Sequence, residues 1–178
     1  MPKYYAGIGH RTIPDSVYDQ MTTIAKAMRK KLYILRSGGA KGSDTAFQLG
    51  AGADTEIYLP WNGFNGMDDK KGIHINGSSL YNFDKAKYIA SMHHPAWDKC
   101  DDTDKKFHGR NVYQILGFNL DDPVDVVICF AKPTGMYTVA GGTGTAVSIA
   151  RQHGVPVYNL WYEKDLIDLK RVLGVFNV

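Results

Sequence analysis

Apolar positions along this chain follow two alternating rhythms. Short apolar runs at 4–8, 33–35, 56–59, 124–130 and 155–160 have the length and the β-branched or aromatic content of strands. Between them the spacing turns helical. Val17, Met21, Ile24, Ala25, Met28 and Leu32 fall on one face, with Pro14 at the start. Lys26, Arg29, Lys30 and Lys31 close that helix, where cations suit its dipole. Further helices are predicted over 44–50, 84–94, 104–116, 145–153 and 164–173. The helix over 104–116 has Phe107, Val112, Ile115 and Leu116 as its apolar positions. Beyond Asp125 the run at 124–130 does not alternate, as expected of a strand covered on both faces. From 61 to 103 the rhythm breaks down, with loop signals at Asn62-Gly63-Phe64-Asn65-Gly66 and Asn76-Gly77-Ser78-Ser79. That stretch is too long for a simple connector and reads as a lid or an elaboration near a site.

Strands alternating with helices predict an α/β fold, a Rossmann-like three-layer sandwich with a mainly parallel sheet, in one domain spanning 1–178. In such a sheet a ligand lies beyond the carboxyl ends of the strands, where the strand order reverses. The loops at 9–12, 37–44, 61–66 and 132–145 all leave predicted carboxyl ends. Two of them are glycine-rich: Ser37-Gly38-Gly39-Ala40-Lys41-Gly42-Ser43-Asp44 and Ala140-Gly141-Gly142-Thr143-Gly144-Thr145-Ala146. Glycine lets the backbone approach a ligand, and a helix start offers unpaired N–H donors and the positive end of a dipole. That combination suits phosphate. Two such turns together point to a phosphate-bearing ligand, a nucleotide. Neither is a common fingerprint. The first lacks the Gly-Lys-Ser/Thr ending of a P-loop, and Gly7-Ile8-Gly9-His10-Arg11 lacks the third glycine of a dinucleotide motif.

Composition narrows the partners. The 178 residues are 44% hydrophobic and 22% charged, the balance of an ordinary globule. A net charge of +3 suits an anionic ligand without indicating nucleic acid, and the basic residues are scattered. There are 2 cysteines; Cys129 lies in an apolar strand as a core residue, and no disulfide framework is implied. A cytoplasmic location is expected, with no signal peptide, no membrane span and no cofactor. His93, His94, Asp98, Cys100, Asp101 and His108 are metal-binding residue types, but their spacing matches no closed zinc pattern. They are read as a solvated charged loop without a metal. No nucleophile–base pair of a Ser or Cys hydrolase is identifiable.

Four motifs, Gly7-Ile8-Gly9-His10-Arg11, the turn from Ser37 to Asp44, Gly109-Arg110-Asn111 and Gly141-Gly142-Thr143-Gly144-Thr145, resemble in order those of the SLOG superfamily. That group joins the Rossmann domain of the DNA-processing protein DprA/Smf with the LOG phosphoribohydrolases and with sensor domains for nucleotide-derived signals. Leu59-Pro60-Trp61, Phe64-Asn65-Gly66, His94-Pro95-Ala96-Trp97, Arg110-Asn111-Val112-Tyr113-Gln114 and Val127-Ile128-Cys129-Phe130 are similar to small DprA-like proteins of bacteriophages. The resemblance implies a site built from Gly9, His10, Arg11, Ser37, Gly38, Gly39, Ala40, Gly42, Ser43, Asp44, Trp61, Arg110, Asn111, Gly141, Gly142, Thr143, Gly144 and Thr145.

Within that set Arg110 is the expected phosphate clamp, and Arg11 carries the same argument. Arg110 would also be the catalytic residue if the protein is an enzyme. Arg36 could face either way. Asp44 would accept from a ribose hydroxyl or cap its helix. Thr143 and Thr145 could cap and bind phosphate together. Trp61 and Phe64 would stack on a base or pin the lid to the core. The LOG resemblance would imply N-glycosidic hydrolysis by an Arg and a Glu, but the place of that Glu is Ser148, a neutral hydroxyl. The leading expectation is therefore a binding protein for a nucleotide or an ADP-ribose-like or cyclic signal, in a phage setting a sensor or sponge of host defence. One alternative is a phosphoribohydrolase with its carboxylate supplied by Asp44 or Glu56. Another is a DprA-like binder of single-stranded DNA. Self-association is left open.

Overall fold

A computed structural model describes residues 2–174 of the chain. Its strands are β1 (Lys3–Gly9), β2 (Tyr33–Ser37), β3 (Thr55–Leu59), β4 (His74–Asn76), β5 (Val126–Phe130) and β6 (Val157–Asn159). Its α-helices are α1 (Asp15–Lys30), α2 (Ser43–Ala51), α3 (Phe83–His93), α4 (Asp102–Leu116), α5 (Thr143–Gln152) and α6 (Glu163–Leu173). The strands form one six-stranded sheet in the order β4-β3-β2-β1-β5-β6, with every pair parallel. The expected Rossmann-like α/β sandwich is what the chain forms.

Both faces of the sheet are covered because side chains alternate across it. Tyr5, Leu35, Ile57, Leu59, Ile128 and Phe130 pack with Met21, Ile24 and Met28 of α1, Phe47 of α2 and Leu169 and Leu173 of α6. Their strand neighbours Ala6, Tyr58, Val127 and Cys129 face Ala86 and Ala90 of α3, Val112 and Ile115 of α4 and Ala146 and Ile149 of α5. Cys129 is fully buried, as its place in an apolar run predicts.

Several boundaries differ from the pattern, each for a local reason. Pro14 stands one residue before α1 in an extended conformation, not as its first helical residue. Leu32 leaves the α1 face: it follows the helix at φ 63° and is 82% exposed. α4 starts two residues early because Asp101 and Asp104 form a reciprocal capping box. His94 falls just outside α3. The 61–103 stretch is built onto the sandwich. It adds β4 to the sheet edge beyond β3 and packs α3 against α4 and α5. None of the described helices is long and apolar enough to cross a membrane.

Candidate functional site

The strand order reverses at β1, whose neighbours are β2 and β5, so the chain crosses over in opposite directions on its two sides. Gly9 ends β1, and the next N–H, of His10, donates to the Phe130 carbonyl at the end of β5 at 2.9 Å. A cleft of about 450 Å³ opens at this reversal. Its lining includes Gly9, His10, Arg11 and Thr12 after β1, Ala40 and Asp44, and Gly141, Gly142 and Thr143 at the start of α5. Phe107, Arg110, Asn111 and Gln114 of α4 form its back wall.

Those four α4 residues follow helical spacing and so share a face. Arg110 is only 4% exposed, and its Nη1 lies 3.6 Å from Asp44 Oδ2. The Asp44 carboxylate also accepts from the Ala40 N–H at 3.2 Å. Burial pushes the Asp44 carboxyl up, and the Arg110 guanidinium pulls it back. Burial lowers the Arg110 pKa; Asp44 opposes this and Arg11 adds to it. The Arg11 guanidinium sits 4.8 Å from the centre of the Phe107 ring and that of Arg110 5.9 Å. Arg110 Nε is buried without a protein partner. The cleft thus holds two guanidinium groups against one carboxylate, with one buried donor left over. Burial also lowers the His10 pKa, which favours a neutral ring.

The two glycine turns differ in kind. In the first, the Gly38, Ala40 and Ser43 donors are already used. With the Gln114 amide turned to the orientation its neighbours require, its oxygen accepts from the Gly38 N–H at 2.8 Å and from Arg110 Nη1 at 3.1 Å, and its nitrogen donates to Asn111 Oδ1 at 3.1 Å. Ser43 N–H and hydroxyl both donate to the His10 carbonyl, at 3.1 and 2.9 Å. A Cβ on Gly38 would fall on Arg110 Nη1, so this glycine makes room for an arginine. The second turn is open. Gly141 and Gly142 are exposed, α5 starts without a side-chain cap, and Asn111 holds the turn through its Nδ2 bond to the Gly142 carbonyl at 2.9 Å.

Ten of the residues singled out in sequence therefore meet at one cleft: Gly9, His10, Arg11, Ala40, Asp44, Arg110, Asn111, Gly141, Gly142 and Thr143. Gly144 and Thr145 line a second cavity, of about 1020 Å³, which shares Gly141 and Gly142 with the first. Ser37, Gly38, Gly39, Gly42, Ser43 and Trp61 line neither. Ser37 is spent on a 2.6 Å bond to the Gly7 carbonyl. Trp61 packs edge-on against Phe64 and Phe107 at 5.2 Å each, pinning the loop after β3 to α4. Asp44 does not cap α2, whose N-cap is Gly42 without a side-chain bond. Arg36 resolves as a structural residue. It bonds Glu56 at 2.8 Å and Asp122 at 2.7 Å, and stacks on Tyr4 at 3.7 Å. Glu56 is thereby committed too.

Phe107 and Gln114 were not expected in the site. Their signal was spacing: both lie on the helical face of Arg110. Nor was the 2.8 Å contact between His93 Nδ1 and Ser148 Oγ, which joins the end of α3 to α5 in the second cavity. No protein-family model matches the chain, and no curated protein matches it. Among solved structures, DNA processing protein A from Helicobacter pylori, described for its single-stranded DNA binding mode, aligns with 99% of this chain and 82% of its own. The identity is 13% and the TM-score 0.43.

Proposed function

We propose that the cleft at the β1/β5 reversal binds a phosphate-bearing ligand of nucleotide type. One observation carries the reading: the cleft is lined by two guanidinium groups, of Arg11 and Arg110, and by a single carboxylate, Asp44, which pairs with Arg110. A phosphate answers the spare positive charge, and guanidinium is the group suited to planar anion recognition. The open turn at Gly141 and Gly142 supplies backbone donors beside it. A volume of about 450 Å³ suits one nucleotide.

Binding, not cleavage, is the favoured role. The only carboxylate among the described lining residues of the cleft is Asp44, and it is held by Arg110 and the Ala40 N–H. A free acid–base pair for N-glycosidic hydrolysis needs a second carboxyl group or an equivalent. A second reading, single-stranded DNA, is favoured by one feature. The two cavities lie on either side of a shared wall, Gly141 and Gly142, so a ligand longer than one nucleotide would meet a second cavity next to the first.

Calorimetric titration with mononucleotides, cyclic dinucleotides and an oligothymidylate separates the readings. A nucleotide site gives saturable binding to a small ligand with mild salt dependence, whereas DNA binding weakens steeply as salt rises. Arg110→Ala should weaken binding roughly ten- to hundredfold, from the ~1.5–3 kcal/mol of a charge-assisted hydrogen bond. Gly142→Val guards against a folding artefact. Gly142 has φ −59° and ψ −26°, and an added Cβ meets only Asn111 Nδ2 at 3.6 Å, so the variant should fold and still block ligand approach. Full affinity in both variants would place the ligand elsewhere or nowhere.

A further inference from the structure

The second cavity contains a cluster that the nucleotide reading does not use. His94 follows α3, Cys100 follows a short helical turn at Trp97–Lys99, and His108 lies on α4. Sequence spacing gives no hint that these three belong together, yet one ligand atom from each lies within 4.8 Å of the others. Cys100 Sγ is 3.7 Å from His94 Nδ1 and 3.9 Å from Nε2, and the His94 and His108 rings are 4.3 Å apart at their centres. The Asp98 and Asp101 carboxylates are not part of the cluster; Asp101 caps α4.

We propose that His94, Cys100 and His108 form a binding site for a zinc-class divalent cation, with its fourth coordination position open to the larger cavity. Two imidazoles and a thiolate are the borderline-soft donors such an ion prefers. A tetrahedral ion needs its ligand atoms about 3.3–3.8 Å apart, from bond lengths near 2.0–2.3 Å. Cys100 Sγ to His94, at 3.7 and 3.9 Å, is close to that edge, and the His108 ligand atom lies within 4.8 Å of both; His94 Nδ1 accepts from the Ala96 N–H at 3.2 Å, which leaves Nε2 as its ligand atom. His108 is already oriented. Its Nδ1 is 3.0 Å from Thr145 Oγ1, which leaves Nε2 as the free ligand atom, the arrangement by which an outer partner fixes a ligand histidine. Binding the cation displaces the thiol proton to solvent and forms the metal–sulfur bond. Three protein ligands with an open fourth position match cation sites that take up water or a small ligand. Here that position faces a cavity also lined by Ser148, Arg151 and the Gly142 turn.

Cobalt(II) is the direct probe, titrated into untagged protein and followed by absorption. One equivalent should give a thiolate-to-cobalt charge-transfer band and intense tetrahedral ligand-field bands, and zinc should displace it. Cys100→Ser should abolish the charge-transfer band. His94→Ala, at a partly exposed position, should weaken cobalt binding at least tenfold. Thr145→Val should weaken it about 10–100-fold, the effect expected of losing an outer partner. Circular dichroism of each variant separates loss of the site from loss of the fold. Absence of the charge-transfer band in the wild type would overturn the proposal. So would equal cobalt affinity in folded Cys100→Ser and wild-type protein.

Discussion

Arg110 and Asp44 form a pair that neither residue could sustain alone in its surroundings. Both side chains are almost wholly buried, and the carboxylate is the only counter-charge among the described residues that line the cleft. Removing one partner of such a pair leaves an uncompensated charge, which is costlier than removing both. Asp44→Asn should therefore lower unfolding free energy by about 3–5 kcal/mol in urea melts. The double variant Asp44→Asn/Arg110→Met should recover part of that loss, a coupling a double-mutant cycle reads directly. A loss below about 1 kcal/mol for Asp44→Asn would mean that water already screens the pair. Gly38 belongs to the same argument, since its missing side chain is the space Arg110 occupies. A glycine in a strand-to-helix turn was legible in the sequence; that its missing side chain is the space of an arginine was not. The cause lies 72 positions away on another element, and no local signal reports it.

Helix α4 is the element that makes the site. Asn111 reaches the second glycine turn, Gln114 the first, and Arg110 the carboxylate between them. Its other positions, such as Val112 and Ile115, bury into the sheet, which explains why nearly the whole second half of the helix is buried. Arg36 performs a different, purely structural task between elements. It joins β2 to Glu56 of β3 and to Asp122 in the connection leading to β5, at 2% exposure. Arg36→Ala should cost about 1.5–3 kcal/mol of stability, because Asp122 is more than half exposed and can regain water. Nucleotide affinity of the folded fraction should not change; a parallel loss of affinity would tie Arg36 to the site. Element boundaries were readable wherever apolar rhythm or a cap was strong. β4 was not, because His74-Ile75-Asn76 is too short to show a rhythm and is held by pairing with β3. The face formed by Phe107, Arg110 and Gln114 was readable in principle, since 3- and 4-residue steps superpose on a helix.

Across the whole molecule, order is distributed unevenly around the cleft. β1 and β5 are central strands paired on both sides, and Tyr5, Ala6, Val127 and Ile128 are fully buried. The segment at 133–142, whose end borders the cleft, is held mainly by a few turn bonds, among them Ala140 N–H to the Lys132 carbonyl at 2.8 Å. Met136 and Tyr137 within it are largely exposed. Such segments open locally, while a doubly paired central strand exchanges only through global unfolding. Native-state hydrogen exchange should therefore show slow amides in β1, β5 and α4 and fast ones at 133–142. A ligand seated as proposed should raise protection selectively at Gly141, Gly142 and Thr143. The amides of Gly38, Ala40 and Ser43 should stay unchanged, because their acceptors lie within the protein. New protection at Gly38 to Ser43 with none at the second turn would reverse the assignment of the two turns. It would show that the ligand breaks the Gln114 and Asp44 bonds on entry, a rearrangement of α4 against the sheet and not the filling of a standing cleft.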